Sequence, residues 1–140
     1  LAAERLRAPT PADHIILPEI ISKEPLGPVV RHGDNQWADI IRWVHYAMLE
    51  AEELGVTSEN AAQMRDTSEA PSVRRLLGAE GNFGEMIGLP NEWAFNAISM
   101  VGNYGEVFDR NIGEGSPVGL SRGLNALYTE GGLQYAHPIR

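Results

Sequence analysis

The first 31 residues of the chain differ in kind from the residues that follow. Five prolines interrupt them, and proline is excluded from helix interiors because it lacks an amide hydrogen and clashes with the preceding turn. The apolar residues 14–17, the pair Ile20 and Ile21, and residues 28–31 therefore predict two or three short strands. So few strands make a sheet that is marginal alone and cannot cover much helix.

A helical pattern begins near residue 34 and accounts for most of the remaining chain. Asp34 or Asn35 is a suitable N-cap, and Leu54 with Gly55 supplies a stop signal about five turns later. Between these signals, apolar side chains recur at the three- and four-residue spacing of one helix face. They are Trp37, Ile40, Ile41, Val44, Met48 and Ala51.

Shorter helices are predicted after the long one, from their start and stop signals. We expect them from Thr57 or Ser58 to about Arg65, from Pro71 to Gly78, from Pro90 to about Gly102, and from Asn103 onward. The glycines in residues 78–88 predict an irregular loop. Residues 120–140 predict a short helix and an extended tail that wraps a surface.

Charge and residue usage exclude several classes of function. Asp and Glu outnumber Lys and Arg by 19 to 11, a formal net charge of −8, whereas phosphate backbones and anionic membranes attract basic faces. The absence of cysteine excludes disulfides, thiol nucleophiles and cysteine zinc sites. No apolar run approaches the ~20 residues that span a bilayer. We therefore expect neither a nucleic-acid partner nor a membrane-spanning segment.

The histidines and the clustered glutamates form no metal-binding or catalytic pattern. None of the histidines pairs with another at helical metal-site spacing, and HExxH is absent; they are His14, His32, His45 and His137. We expect His45 to be packed or hydrogen-bonded beside the apolar face of the long helix. Three glutamates end that helix, and there we expect a solvated face rather than an acid–base pair: Glu50, Glu52 and Glu53.

Other candidates for chemistry also lack their sequence partners. Ser116 has no GxSxG elbow, and Gly113, Gly115 and Gly119 miss the dinucleotide-binding spacing by one residue. Tryptophans at helical spacing are more typical of a core than of a ligand site, and they are Trp37, Trp43 and Trp93. Arg74 and Arg75 most simply form a solvated helix face. From the residues alone we predict no catalytic residue, no metal ligand and no cofactor.

Several longer motifs together resemble one family over essentially all 140 residues. Residues 17–31 have the sequence LPEIISKEPLGPVVR, and residues 101–111 have VGNYGEVFDRN. Further matches are GDNQW at 33–37, AEELGVTS at 51–58, RGLNALY at 122–128, GGLQYA at 131–136, and Pro138. In this order they resemble the C-terminal region of periplasmic general L-amino-acid-binding proteins. These are the solute-binding components of polar amino-acid ABC transporters, in extracellular solute-binding protein family 3.

The resemblance implies part of a type II periplasmic binding fold, an α/β architecture of two lobes joined by two crossover strands. It implies that residues 1–23 finish the second lobe, that residues 24–31 form a crossover (hinge) strand, and that residues 32–140 return to the first lobe. The excess of helix over strand then follows if the missing strands belong to an N-terminal portion. Because the chain starts at Leu1 rather than Met, we expect a portion of a longer protein.

The same resemblance implies a periplasmic carrier, not an enzyme, that closes around an L-amino acid and delivers it to a membrane permease. The family's main ligand contacts match positions upstream of Leu1, including the acidic residue that pairs with the ligand's α-ammonium. We therefore assign no ligand-binding residue and expect these 140 residues alone to bind amino acids poorly. The residues by themselves leave open a small stand-alone helical interaction or regulatory module. A catalytic fragment is weaker, because it lacks nucleophile and metal motifs.

Overall fold

The computed structural model describes residues 1–19, 21–22 and 25–140 of the chain. These residues form seven α-helices: α1 (Ala2–Leu6), α2 (Asn35–Glu53), α3 (Ala61–Thr67), α4 (Pro71–Leu76), α5 (Phe83–Met86), α6 (Trp93–Val101) and α7 (Tyr104–Asn111). Single turns of 3-10 helix lie at Pro11–Asp13, Gly123–Asn125 and Tyr128–Glu130.

The long helix α2 has the bounds that its capping signals predict. Asp34 is the N-cap, and its Oδ1 accepts a hydrogen bond from the Trp37 amide at 3.1 Å. Leu54 is the C-cap, and Gly55 follows with a φ of +69°. This left-handed conformation is the one that glycine adopts at helix ends without steric cost.

Helix α2 is the centre of the fold, because it packs against α4, α6 and α7, while α3 packs against α4 and α6. The main core lies among these helices. Its side chains are mostly small or branched. Its buried members are Ala47, Ala51, Val56, Ala61, Val73, Leu76, Leu77, Trp93, Ala94, Ile98 and Ile139. A second, smaller cluster on another side of α2 contains Leu49, Leu127 and Ala136, with Tyr46 and Tyr104 packed against it.

Burial along α2 differs from the single apolar stripe that its sequence predicts. The C-terminal half is buried on two sides, at Ala47, Leu49, Glu50 and Ala51. In the N-terminal half, Trp37 is 49% exposed, although it belongs to the predicted stripe. The two core clusters enclose the end of the helix, whereas at its beginning the neighbouring α5 segment lies beside Gln36 and Asp39 and leaves Trp37 half-exposed.

Helix α7 begins with a capping box that also fixes a distant loop. Asn103 Oδ1 accepts from the Glu106 amide at 3.0 Å, and Glu106 Oε2 accepts from the Asn103 amide at 2.8 Å. The Asn103 Nδ2 group donates to the Val56 carbonyl at 2.8 Å, and the Ser58 hydroxyl donates to Glu106 at 2.6 Å. The capping box therefore joins α7 to the segment that follows α2.

Two predicted helix starts are wrong, and the predicted loop at residues 78–88 contains the short helix α5. The second helix, α3, begins at Ala61, one turn later than predicted. Thr57 caps the turn that leads into it: its Oγ1 accepts from the Asn60 amide at 3.3 Å, and Asn60 Oδ1 accepts from the Thr57 amide at 2.7 Å. Helix α6 begins at Trp93 rather than at Pro90. The predicted starts at Pro71 and Asn103 are confirmed.

The predicted strands near the N-terminus are not formed among the described residues. Residues 14–17 and 28–31 belong to no strand, and the described part of the chain contains one isolated bridge, between Leu127 and Gln134. Ile20, Lys23 and Glu24 lie outside the described residues, and so do the strand predicted at Ile20 and the first residue of the predicted 24–31 crossover. A strand is defined by hydrogen bonds to a neighbouring strand. Among the described residues, no segment pairs with residues 14–17 or 28–31 in this way.

The last 19 residues, which we call the strap (residues 122–140), cross back over the end of α2. The predicted short helix is replaced by two 3-10 turns. In this segment the side chains of Ala126, Leu127, Ala136 and Ile139 are buried, whereas those of Leu124, Leu133 and Tyr135 are exposed. Leu127 and Ala136 enter the smaller cluster, whereas Ile139, at 2% exposed, enters the main core. The strap thus contacts both apolar clusters.

We expect Asn103→Ala to lower the free energy of unfolding by about 2 kcal/mol, because it removes a cap and leaves the Val56 carbonyl without its donor. Asp34→Ala is the matched control, since Asp34 caps an exposed helix start; its expected loss is about 1 kcal/mol. Chemical denaturation of the chain measures both. Equal losses for the two variants would contradict the interhelical role of Asn103.

Candidate functional site

The four histidines do not converge. His14 and His32 are exposed in the N-terminal region, and the His14 ring contacts the Thr10 carbonyl at 2.8 Å. His45 packs edge-on against Tyr104, as expected for a packed helix residue, and His137 packs edge-on against Tyr46. Burial lowers the pKa of His45, so its ring is neutral at pH 7. In the described part of the chain, no three His, Cys, Asp or Glu side chains are grouped as a metal site.

The three glutamates at the end of α2 bind the strap. Glu50 Oε2 accepts from the Ile139 amide at 3.1 Å, and Glu53 Oε1 accepts from the Tyr128 hydroxyl at 3.3 Å. Glu52 accepts two hydrogen bonds from the Arg122 guanidinium, at 2.8 and 3.1 Å. The predicted solvated face is therefore wrong for Glu50, which is 8% exposed, and for Glu52, whose side chain is 14% exposed.

Arg122 is the functional partner that the sequence analysis missed. Its guanidinium lies over the rings of Tyr104 and Phe108, 5.3 and 5.2 Å from their centroids. It also donates to the Asn125 carbonyl at 2.9 Å, within the strap. Seventy residues separate Arg122 from Glu52, so no local spacing pattern connects them. The sequence offered one indication of an ion pair: an arginine in a chain that has 11 basic and 19 acidic residues.

Burial of Glu50 raises its pKa, and the nearby Glu53 charge acts in the same direction. The Ile139 amide and the charge of Arg75 act in the opposite direction and are weaker. Glu106 shows the reverse balance: burial raises its pKa, but hydrogen bonds from Ser58 and Asn103 outweigh burial and lower it. The two carboxylates therefore contribute to stability with opposite dependence on pH.

The remaining candidate residues are structural. Trp43 packs edge-on against Phe83 with centroids 4.5 Å apart, and Trp93 is buried, whereas Trp37 is half-exposed. The Ser116 hydroxyl donates to the Gly113 carbonyl at 2.8 Å, so it stabilises a turn. Arg74 pairs with Glu80 at 3.3 Å. None of these contacts gives a nucleophile, an acid–base pair or an anion clamp.

An uncovered apolar surface is the functional feature that remains. It consists of residues 14–30 as far as they are described, together with the N-terminal half of α2. Exposed fractions reach 97% for Ile21, 95% for Leu26 and 94% for Val29, and Ile15 and Leu17 are also exposed. Contiguous apolar exposure of this kind marks a contact surface. No backbone–backbone hydrogen bond is found for the described residues between 15 and 30.

A groove of about 270 Å³ lies within this surface, between the extended segment and α2. Pro28 and Val30 form one wall, and the other is formed by Ala38, Ile41, Arg42, His45 and Tyr46. Binding a free amino acid requires partners for both an ammonium and a carboxylate. The groove offers one cation, Arg42, which pairs with Asp39 at 3.0 Å, and its lining contains no carboxylate. The groove therefore fits apolar chain better than it fits an amino acid.

Comparison with known proteins confirms the resemblance. The chain is 57% identical over all its 140 residues to the glutamate/glutamine/aspartate/asparagine-binding protein BztA of Rhodobacter capsulatus, of which it covers 41%. It is 56% identical, over 97% of its length, to the general L-amino acid-binding periplasmic protein AapJ of Rhizobium johnstonii, of which it covers 40%. The chain thus spans about two fifths of the curated relatives it matches. No protein-family model matches it.

One solved structure extends the similarity to the fold. It is an ABC transporter periplasmic binding protein from Brucella ovis with glutathione bound, and it is 52% identical to the chain. The match covers 99% of this chain and 44% of the Brucella ovis protein, with a TM-score of 0.94. All three proteins are named as binding proteins. None of the described helices is long and apolar enough to cross a membrane.

We expect Glu50→Gln to be neutral or stabilising at pH 7, because it removes a buried charge and keeps an acceptor for the Ile139 amide. Glu50→Ala removes the acceptor as well, and we expect a loss of about 2 kcal/mol from the free energy of unfolding. Urea denaturation at pH 7 distinguishes the two variants. A loss in Glu50→Gln as large as that in Glu50→Ala would show that the charge itself is required.

The pH dependence of stability should change in opposite directions in Glu50→Gln and Glu106→Gln. The raised pKa of Glu50 gives stability that is full below pH 4.5 and is lost as pH rises through its folded-state pKa. The lowered pKa of Glu106 gives stability that is present above pH 4.5 and is lost as pH falls through its folded-state pKa.

Denaturation between pH 3 and 7 measures these slopes, because each variant abolishes one of them. Relative to the unaltered chain, Glu106→Gln should lose less stability on acidification, and Glu50→Gln should lose more. Asp39→Asn is the control for removing an exposed carboxylate. The assignment fails if the two glutamine variants change the slope in the same direction relative to the unaltered chain.

Proposed function

We propose that the chain is the C-terminal portion of a periplasmic amino-acid-binding protein of an ABC transporter, a carrier and not an enzyme. One observation carries this proposal: the match at 50–57% identity runs along the whole chain but along about 41% of each relative. Similarity of the fold also supports it, since the chain matches a periplasmic binding protein with a TM-score of 0.94.

The uncovered apolar surface supports a longer protein independently of these matches. Burial of apolar area contributes about 25 cal/mol per Å², and Ile21, Leu26 and Val29 forgo nearly all of it here. Their backbone amides and carbonyls also form no described backbone bond. Both deficits are corrected at once if strands from the rest of the longer protein pair with this segment.

The proposed division of the chain places the hinge in this same segment. Residues 1–23 would complete one lobe, residues 24–31 would be a crossover strand, and residues 32–140 would belong to the other lobe. Pro25 and Pro28 favour extended backbone, and the helical body begins directly afterwards, at the Asp34 cap. In this arrangement the exposed N-terminal half of α2 packs against the sheet of its own lobe.

The relatives also suggest the chemistry of the ligand. Their names include glutamate, glutamine, aspartate and asparagine, and general L-amino acids; the Brucella ovis structure holds glutathione. All of these molecules carry a free α-ammonium and α-carboxylate on one carbon. We therefore propose a ligand recognised through this pair of charges, by residues outside this chain, and delivered from the periplasm to a membrane permease.

Isothermal titration of the full-length protein that contains this chain tests the proposal. We expect one-to-one binding of at least one of glutamate, glutamine, aspartate, asparagine and glutathione. N-acetyl derivatives of the same amino acids, which lack the ammonium, are the matched control and should not bind. The 140-residue chain alone, at the same concentration, should give no heat of binding. Absence of binding by the full-length protein across L-amino acids and glutathione would overturn the proposal.

A further inference from the structure

The strap is joined to the helical body by hydrogen bonds that involve side chains and by apolar packing, rather than by backbone–backbone hydrogen bonds. Its backbone hydrogen bonds are internal: the Gly132 amide donates to Leu127, the Leu133 amide to Leu124, and the Gln134 amide to Ala126. No backbone–backbone bond connects residues 122–140 to the rest of the described chain. The backbone of the strap is therefore held by its own hydrogen bonds and extends no helix or strand of the helical body.

Its polar attachments to α2 lie together in one helical turn. Glu50, Glu52 and Glu53 each accept from a different part of the strap, namely its end, its beginning and its middle. The apolar attachments are Leu127 and Ala136 in the smaller cluster, Ile139 in the main core, and the ring of His137 edge-on against Tyr46. A contiguous segment of this kind can open as one cooperative unit at a lower free energy than the global unfolding of the protein.

We propose that the strap is a latch that opens as one unit, through release of the three α2 glutamates, while the helical body stays folded. Opening withdraws Ile139 from the main core and separates Arg122 from Tyr104 and Phe108. It also removes one wall of a groove of about 660 Å³, which Leu124 and Leu133 of the strap form opposite Pro25 and Leu26. Opening of the strap at the C-terminus therefore changes the surroundings of Pro25 and Leu26 in the extended segment. This consequence does not depend on which ligand the protein carries.

The location of charge favours a latch over a permanent part of the core. Three carboxylates at a helix C-terminus repel one another and the helix dipole, and the strap supplies an amide, a guanidinium and a phenol that compensate them. When the strap opens, the same carboxylates regain water, which is the usual state of a surface glutamate. The open form therefore leaves no charge buried without a partner.

Native-state hydrogen exchange on the full chain tests the latch. We expect the Gly132, Leu133 and Gln134 amides to exchange through one common opening, at least about 100-fold more populated than the opening that exposes the Leu49 and Ala51 amides of α2. Low concentrations of denaturant should leave the strap opening nearly unchanged and promote the α2 opening. The latch is refuted if strap and α2 amides show one opening constant and one denaturant dependence.

Glu52→Gln separates the latch from general stability. It removes the charge that pairs with Arg122, and we expect about a tenfold larger strap opening constant with unchanged exchange in α2. Asp39→Asn is the matched control: it makes the same chemical change in an exposed pair on the same helix, and it should change neither. Equal acceleration of strap and α2 amides in Glu52→Gln would contradict the proposal.

Gly132→Ala tests the latch from inside the strap. A β-carbon at Gly132 would collide with the Ala126 carbonyl, whereas one at Gly27 meets no atom within 4 Å. We expect Gly132→Ala to open the strap and leave the helical signal in circular dichroism intact, with Gly27→Ala as the silent control. Loss of the helical signal together with the strap would mean that the strap is an obligatory part of the body.

Discussion

The pairing between the last turn of α2 and the strap is the interaction on which the position of the last 19 residues depends. Glutamates are unfavourable at a helix C-terminus, where the carbonyl ends of the helix dipole are also negative. Here each glutamate faces a donor from the strap. The Arg122 guanidinium offsets one of these charges, and the Ile139 amide and the Tyr128 hydroxyl supply hydrogen bonds to the other two carboxylates. In return, the carboxylates fix the position of a segment with little regular structure.

What the sequence predicted well is what depends on near neighbours in the chain. The Asp34 cap, the stop at Leu54 and Gly55, and the helix start at Asn103 all depend on signals within a few residues, and all were predicted from them. The role of Glu52 was missed because it depends on Arg122, which lies 70 residues away, and the bond from Ser58 to Glu106 likewise spans 48 residues. The spacing of apolar residues along the chain does not reveal pairs that are so far apart in sequence.

The same distinction explains why the helices are formed and the predicted strands are not. A helix satisfies its backbone hydrogen bonds within itself, so it needs neighbours to bury one face only. A strand satisfies neither its amides nor its carbonyls without a second strand. A helix therefore forms from its own residues, whereas an extended segment needs a neighbouring strand that the described residues do not supply. Residues 14–17 and 28–31 have the β-branched, proline-bounded character of strands and remain unpaired.

The unsatisfied groups differ in kind between the helical body and the segment before it. Within residues 35–140 the buried polar groups are almost fully paired: of the buried side-chain atoms described, Arg75 Nε and Asn91 Oδ1 lack a partner. Exposed apolar side chains occur on both sides of Asp34, namely Ile21, Leu26 and Val29 before it and Met86, Met100 and Leu133 after it. What distinguishes the described residues between 15 and 30 is that this exposure coincides with the lack of backbone–backbone hydrogen bonds. Both deficits together are those of an extended segment without a neighbouring strand.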